Sequence, residues 1–333
     1  MVEAVAVDLA STLREAVTGS VRFNEPLDTL SRWRIGGRAA AIVEPSSATE
    51  AAAVLRVMAE RPEPIVVIGE TSNMLFDSRG FDGVLMRVGP RMSEWSIEGR
   101  RVHAEAGASI PELVRATAEA GLSGIIHAAG VPGTLGGLVL MNGGTQRKGI
   151  GEQVVRTLIA NERGELHAVR HDDLGFAYRT SNLQGQTAAI LEVELELVPG
   201  EPAALIVDID AILAERAAKF PFDLPNCGST FLSNPAMYSI VGAPGRAIEE
   251  AGLKSVRRGG AQISEKHANF IVNLGGATDN DVLWLIALVR TTVQARTGFT
   301  MDCEVRHLSP DGRMRPAHEV ADERWPDLRS SEG

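Results

Sequence analysis

The chain has 333 residues, 44% of them hydrophobic and 23% charged, with a formal net charge of −10. That length exceeds one typical domain and supplies apolar residues for two or three compact units. Both charge signs are spread along the chain and there is no basic tail, which argues against a nucleic-acid footprint and obliges any anionic ligand to meet a local positive site.

The opening run "MVEAVAVDLASTLREAV" lacks a basic flank and carries Glu3 and Asp8 among its apolar residues, so it reads as a surface helix and not as a signal peptide. Ser47 with Glu50 fits a capping box that opens an alanine-rich amphipathic helix. "PIVVIG" reads as a buried strand, and it runs into Gly69, Thr71, Ser72 and Asn73. Successive backbone N–H groups in so tight a turn, helped by small hydroxyls, suit a pyrophosphate. Strands follow in "GVLMRV" and "RVHAEAG", so the strand-to-helix GxGxxG arrangement of a Rossmann unit is absent. Ser109 with Glu112 fits a second capping box, and that helix ends at Gly121.

A second glycine cluster, Gly130, Gly133, Gly136 and Gly137, follows, with Pro132 positioned to begin a short helix. Either cluster alone fits close backbone packing; the two together favour a dinucleotide lying along the backbone. The surrounding stretch "IIHAAGVPGTLGGLVLM" is the most apolar long run, but His127, Pro132 and its glycines exclude a transmembrane span. His167 and His171 are four apart, yet "ELHAVRH" reads partly as strand, where that spacing makes no helical metal pair, and no metal is expected. "ILEVELELV" alternates Leu191, Val193, Leu195 and Leu197 with glutamates and is a half-buried strand.

At Gly200, Glu201 and Pro202 the strand pattern stops and a helical run to Lys219 begins, which marks a domain boundary. "FPFDLPNCGSTFLSNP" then sets a polar turn between prolines and aromatics, as a turn or as a site. A helix from about Asp279 to Arg296, closed by Gly298, and a strand "MDCEVRHLS" complete the last domain. After Pro310 the polar tail is expected to be loosely held. Cys227 and Cys303 are the only cysteines and form no CxxC pair, which fits a reducing compartment and excludes a disulfide framework or a thiolate zinc site.

Six stretches in order, "IGETSNMLFDSRGFDGVL", "AGVPGTLGGLVLMNGG", "FAYRTS", "CGSTFLSNP", "GGAQISEKHANFIVN" and "CEVRHL", resemble the UDP-N-acetylenolpyruvoylglucosamine reductase family from about Asp28 to Leu308. The resemblance implies an α+β chain: a two-part FAD-binding region of the vanillyl-alcohol-oxidase-like type and a C-terminal α+β substrate domain. The expected division is 1–90 and 91–200 for the two FAD-binding subdomains, 201–309 for substrate and 310–333 for the tail. It further implies FAD as cofactor, NADPH as co-substrate, UDP-N-acetylglucosamine enolpyruvate as substrate, and a cytoplasmic enzyme of peptidoglycan precursor synthesis, with no nucleic-acid or membrane partner. A paralogue acting on another sugar nucleotide and a non-catalytic flavin-binding module are the alternatives.

By the same resemblance Ser229 is the proton donor, Arg179 holds the substrate carboxylate and Glu304 completes the electrophilic set. Cofactor contacts are expected at Ile68, Gly69, Glu70, Thr71, Ser72 and Asn73. Further ones are expected at Gly130, Pro132, Gly133, Thr134, Gly136, Gly137, Asn142 and His267. Tyr178, Lys219 and Asn234 are expected to touch substrate, and Arg257 and Arg258 are further candidates for its diphosphate. The chain departs from the family pattern in an extra residue before Asn234 and in "NGGTQRKG", which lacks a tyrosine common there; with only Tyr178 and Tyr238 present, it resembles the branch without a tyrosine-bearing lid loop.

Overall fold

The computed structural model describes residues 2–145, 148–326 and 328, with backbone only for 2–8. The chain divides into two compact units: Met1–Glu25, Ala39–Glu70 and Asp82–Arg216 form the first, and Pro26–Arg38, Thr71–Phe81 and Ala217–Gly333 form the second.

The first unit is built on two sheets. Four strands run in the order Ser20–Pro26, Arg38–Glu44, Phe81–Arg87, Ile65–Ile68, the last pair parallel. The other sheet is antiparallel, in the order Leu166–Arg170, Val154–Ala160, Ala189–Glu196, Arg101–Glu105, Trp95–Glu98. Leu191, Val193 and Leu195 turn into the core as their alternation demands. Glu194 breaks the pattern by being buried, and Arg101 and Arg156 both pair with it. Helices Ala48–Ala59 and Ile110–Glu119 contribute Val54, Leu55, Leu113 and Val114 to the same core. Of the two expected capping boxes, the first is half formed. Ser47 accepts the Glu50 N–H, but the Glu50 carboxylate turns to the N–H groups of Ser46 and Thr18. Ser109 makes no capping bond at all.

In the second unit, Met314–Pro316 pairs antiparallel and Met74–Phe76 parallel with Arg306–Leu308, and Arg257–Arg258, Ala261–Ile263 and Ile271–Asn273 form an antiparallel sheet. Helix Asp279–Thr297 ends at Gly298 with φ 77°, as expected. A capping box missed in the sequence opens it: Thr278 Oγ1 accepts the Asp281 N–H and Asp281 accepts the Thr278 N–H.

Four expectations are corrected. The boundary near Gly200 is displaced, because helix Pro202–Lys219 puts Leu205 and Ile209 into the first core and stays with the first unit as far as Arg216. Residues on both sides of the expected division at 90 and 91 share that core, whereas 26–38 and 71–81 join the second unit, whose core buries Trp33, Ile35 and Leu75. The stretch "MDCEVRHLS" is strand only at Arg306–Leu308, with an isolated bridge between Phe231 and Cys303 before it. The tail is folded over its described residues: helix Ala317–Arg324 buries Ala317, Val320 and Ala321, and Arg290 holds Asp322 through Nε at 3.2 Å and an outer nitrogen at 3.0 Å.

Replacing Thr278 with Ala removes an N-cap bond and should cost about 1 kcal/mol in urea denaturation, with Ser largely neutral.

Candidate functional site

Strand Ile65–Ile68 delivers Gly69 to Thr134, in the middle of the second glycine cluster. A Cβ on Gly69 would stand 2.4 Å from Thr134 Oγ1, so the two glycine segments meet within the first unit only because this position is bare. Thr134 caps the short helix Leu135–Leu140 by accepting the Gly137 N–H. Pro132 therefore precedes the helix instead of beginning it. The N–H groups of Leu135 and Gly136 are already given to the carbonyls of Ala108 and Ala106, and a Cβ on Gly136 would lie 2.9 Å from that of Ala106. Gly136 is thus a packing glycine. Ile68 is core, and Glu70 is bound by Arg87 at 2.5 Å.

A cation at this cluster was not anticipated. A Cβ on Gly130 would lie 2.3 Å from Nε of Arg216, so that side chain runs across the glycine's face. Burial pulls its guanidinium down from the ordinary value, with the adjacent Glu215 opposing.

The chain passes into the second unit after Glu70, and Thr71 there takes φ 52°. Its buried hydroxyl donates to the carbonyl of Leu30 at 2.9 Å. Asn142 is likewise engaged: Nδ2 donates to Ala177 O and Oδ1 accepts the Gly151 N–H, which braces the turn that follows. In that turn Arg179 adopts φ 55°, donates to Gly144 O at 2.6 Å and lies 5.4 Å from the ring centre of the exposed Tyr178. Its orientation is fixed by both contacts.

Within the second unit, Gly228 at φ 76° turns the chain before Ser229, which is half-buried. Asn269 fastens the next residues: its carbonyl accepts the Thr230 N–H, its Oδ1 accepts the Phe231 N–H, and its Nδ2 donates to Phe231 O. The Glu304 N–H then donates to Thr230 O at 2.9 Å. Asn73 closes the arrangement, with Nδ2 donating to Glu304 O at 3.0 Å and its own carbonyl accepting the Arg306 N–H. The structure therefore gathers Ser229, Glu304 and Asn73, three positions far apart in sequence. His267 packs edge-on against Phe220 and Phe270, its Nδ1 accepts the Asn269 N–H, and burial, then the charge of Lys254, lowers its pKa. Asn234 uses Oδ1 to cap helix Pro235–Ile240. Lys219 ends its helix exposed, while Arg258 lies over the Trp284 ring.

A family model of the FAD binding domain matches residues 39–170, and one of the UDP-N-acetylenolpyruvoylglucosamine reductase C-terminal domain matches residues 220–308. UDP-N-acetylenolpyruvoylglucosamine reductase 1 of Corynebacterium glutamicum is 56% identical over 324 residues, 97% of each chain. The chain belongs to the UDP-N-acetylenolpyruvoylglucosamine reductase family. A family member from Desulforamulus reducens is 36% identical over 307 residues, 92% of this chain and all of that one. The crystal structure of the family's Thermus caldophilus reductase superposes with a TM-score of 0.72 at 27% identity, covering 87% of this chain and 98% of that one. The α+β reading with an FAD-binding region and a C-terminal domain agrees with both family models.

The first unit's residues fit the family's FAD: the Gly69 and Thr134 approach leaves no room for a side chain, and Arg216 brings positive charge to Gly130 in an acidic protein. Arg216 was missed because it stands outside every quoted stretch, and Asn269, although inside "GGAQISEKHANFIVN", because only the fold shows what its side chain holds.

One group of metal-ligating type occurs among the described residues, Asp77, Asp279 and His307 in the second unit. Its carboxylates are engaged by cations instead. Arg324 donates to Asp279 at 2.8 Å and to Asp77 at 3.0 Å, Arg79 forks onto Asp77, and His307 Nε2 lies 3.2 Å from Asp279. Burial alone would raise the Asp279 carboxyl, but the bonds from His307, Arg324 and Ser78 outweigh it and hold it well below 3.8. A depressed carboxylate contributes stability above its unfolded value and loses it as pH falls through the folded one. Urea midpoints should therefore drop as pH is lowered past 3.8, and Asp279→Asn should lower stability at neutral pH while flattening that acid limb.

Proposed function

We propose that the chain is an FAD-dependent reductase that uses NADPH to convert UDP-N-acetylglucosamine enolpyruvate into UDP-N-acetylmuramate, in the cytoplasm, for peptidoglycan synthesis and so for cell shape and division. The observation that carries this reading is the hydrogen bond from the Glu304 N–H to Thr230 O, which holds the Ser229 loop beside the segment bearing Glu304. No described helix is long and apolar enough to cross a membrane.

FAD, when bound, relays hydride from NADPH to the terminal carbon of the enolpyruvyl group. We assign its contacts to the backbone around Gly69, Ser72, Gly130, Gly133 and Gly137, with Thr134 and Arg216 beside the glycines, and to His267. Thr71, Asn73 and Asn142 serve by holding turns. Substrate contacts fall to Tyr178 and Lys219, and to Asn234 through Nδ2, since its oxygen caps a helix.

Hydride addition leaves an electron pair on the carbon that bears the ether oxygen, delocalised into the substrate carboxylate. Arg179, whose plane is set by Gly144 O and the Tyr178 ring, matches that carboxylate with two parallel N–H groups. Ser229 Oγ–H gives its proton to the carbon and recovers one from solvent, which completes the lactyl ether. Serine is a weak acid, but the carbanion-like enolate is a strong base and a fixed donor needs no solvent reorganisation. Glu304 completes the set that meets the growing charge.

Two variants test the assignments. Gly69→Val, whose side chain would strike Thr134, should give a folded protein without flavin absorbance, and normal occupancy would remove Gly69 from the cofactor site. Ser229→Ala should leave anaerobic bleaching of the flavin by NADPH intact while slowing its reoxidation by the enolpyruvyl nucleotide about 10⁴-fold, with Cys restoring part of the rate. Stopped-flow absorbance separates the halves; equal slowing of both would make Ser229 a fold residue. Bleaching without any reoxidation in the wild type would favour a paralogue for another sugar nucleotide, and no bleaching a non-catalytic flavin carrier.

A further inference from the structure

The segment past the family's C-terminal domain model, which ends at residue 308, touches both neighbours of Glu304. On one side the Cys303 N–H donates to His318 Nδ1 at 3.0 Å; on the other the Ala317 N–H donates to Val305 O at 2.9 Å. Both donor and acceptor come from the first turn of helix Ala317–Arg324. The far end of that helix is anchored by Arg324 on the buried Asp77 and Asp279, and its middle by Asp322 on Arg290. Asp77 directly follows strand Met74–Phe76, which lies parallel to Arg306–Leu308. The helix is thus tied at one end to the strand pair and at the other to the residues on either side of Glu304.

We propose that His318 is a positioning residue for the reductase reaction, acting through the Cys303 N–H to fix the backbone that presents Glu304. The inference rests on the role given to Glu304 above. An imidazole accepts at Nδ1 only when that nitrogen bears no proton, so the neutral form with its proton on Nε2 is required. Nε2 then points its proton toward Asp302 Oδ1, 3.5 Å away. Burial favours this neutral form, and so does the nearby Arg290 charge, against Asp302, Glu319 and Asp322. A Cys303 N–H left without an acceptor in its buried position would instead move to find one, and Glu304 is the next residue.

Asparagine and glutamine separate the two ring nitrogens: the Asn oxygen falls near the place of Nδ1 and the Gln oxygen near that of Nε2. His318→Asn should reoxidise flavin with the enolpyruvyl nucleotide within about threefold of the wild type. His318→Gln should be slowed tenfold or more in that half while its bleaching by NADPH stays within twofold. Amide hydrogen exchange should show the Cys303 N–H protected in the wild type and His318→Asn and exposed in His318→Gln. Equal rates in the two variants, a glutamine better than asparagine, or equal slowing of both halves would overturn the proposal. Glu304→Gln run alongside distinguishes its foundation: normal reoxidation there would refute the role of Glu304, while the exchange result would still decide whether His318 holds Cys303.

Discussion

Backbone hydrogen bonding along Asp302–Arg306 is the constraint on which the second unit's chemistry depends. Within five residues, Asp302 O accepts from Leu232, Cys303 N–H reaches His318, Glu304 N–H reaches Thr230, Glu304 O accepts from Asn73, Val305 O accepts from Ala317 and Arg306 N–H reaches Asn73. These partners come from three separate stretches of chain, at Asn73, at Thr230 and Leu232, and at Ala317 and His318. A regular strand would bond to two neighbours in a fixed alternation, and it would point successive side chains to opposite faces. This stretch instead shares its backbone bonds among three neighbours, with a bridge between Phe231 and Cys303.

The first unit solves a different problem, the approach of two backbones. Side chains at Gly69 and Gly136 would collide with Thr134 and Ala106, so glycine here is required by neighbours and not by turn geometry. That leaves the cluster with two kinds of glycine that look alike in sequence. Gly136 sits under a carbonyl it is bonded to, whereas a Cβ on Gly137 would meet Thr134 Oγ1 no closer than 3.5 Å. Close packing therefore accounts for Gly136 but not for Gly137.

What the sequence made legible follows the same physics. Strong periodicity located the strand Ala189–Glu196 and the helices Pro202–Lys219 and Asp279–Thr297, because burial of one face leaves a mark at every second or every third and fourth residue. Ordered motifs singled out the Ser229, Arg179 and Glu304 segments that the proposed reaction uses. Side-chain bonds spanning long separations left no such mark. The Thr71 hydroxyl reaches Leu30 O, 41 positions away, and the Asn142 amide reaches Ala177 O, 35 away. The C-terminal helix was missed since only Ala317, Val320 and Ala321 are apolar on its buried side. Its charged residues, which read as solvated, are paired: Asp322 with Arg290, Arg324 with Asp77 and Asp279, Glu323 with Arg315.

The polar turn in "PNCGSTF" can now be understood by elimination. Asn226 is buried and donates Nδ2 to the carbonyls of Pro221 and Leu224, and Thr230 is fully buried. Cys227, by solution acidity a better proton donor than any hydroxyl, is 3% exposed, gives its S–H to Met74 O at 3.2 Å, and is pushed up by burial to about 12. The left-handed Gly228 sets the residue before it inward and the residue after it at the surface. Ser229 is left as the half-exposed proton-bearing side chain of that turn, while the stronger acid two residues away is sequestered from any substrate. Position, and not intrinsic acidity, is what distinguishes the serine.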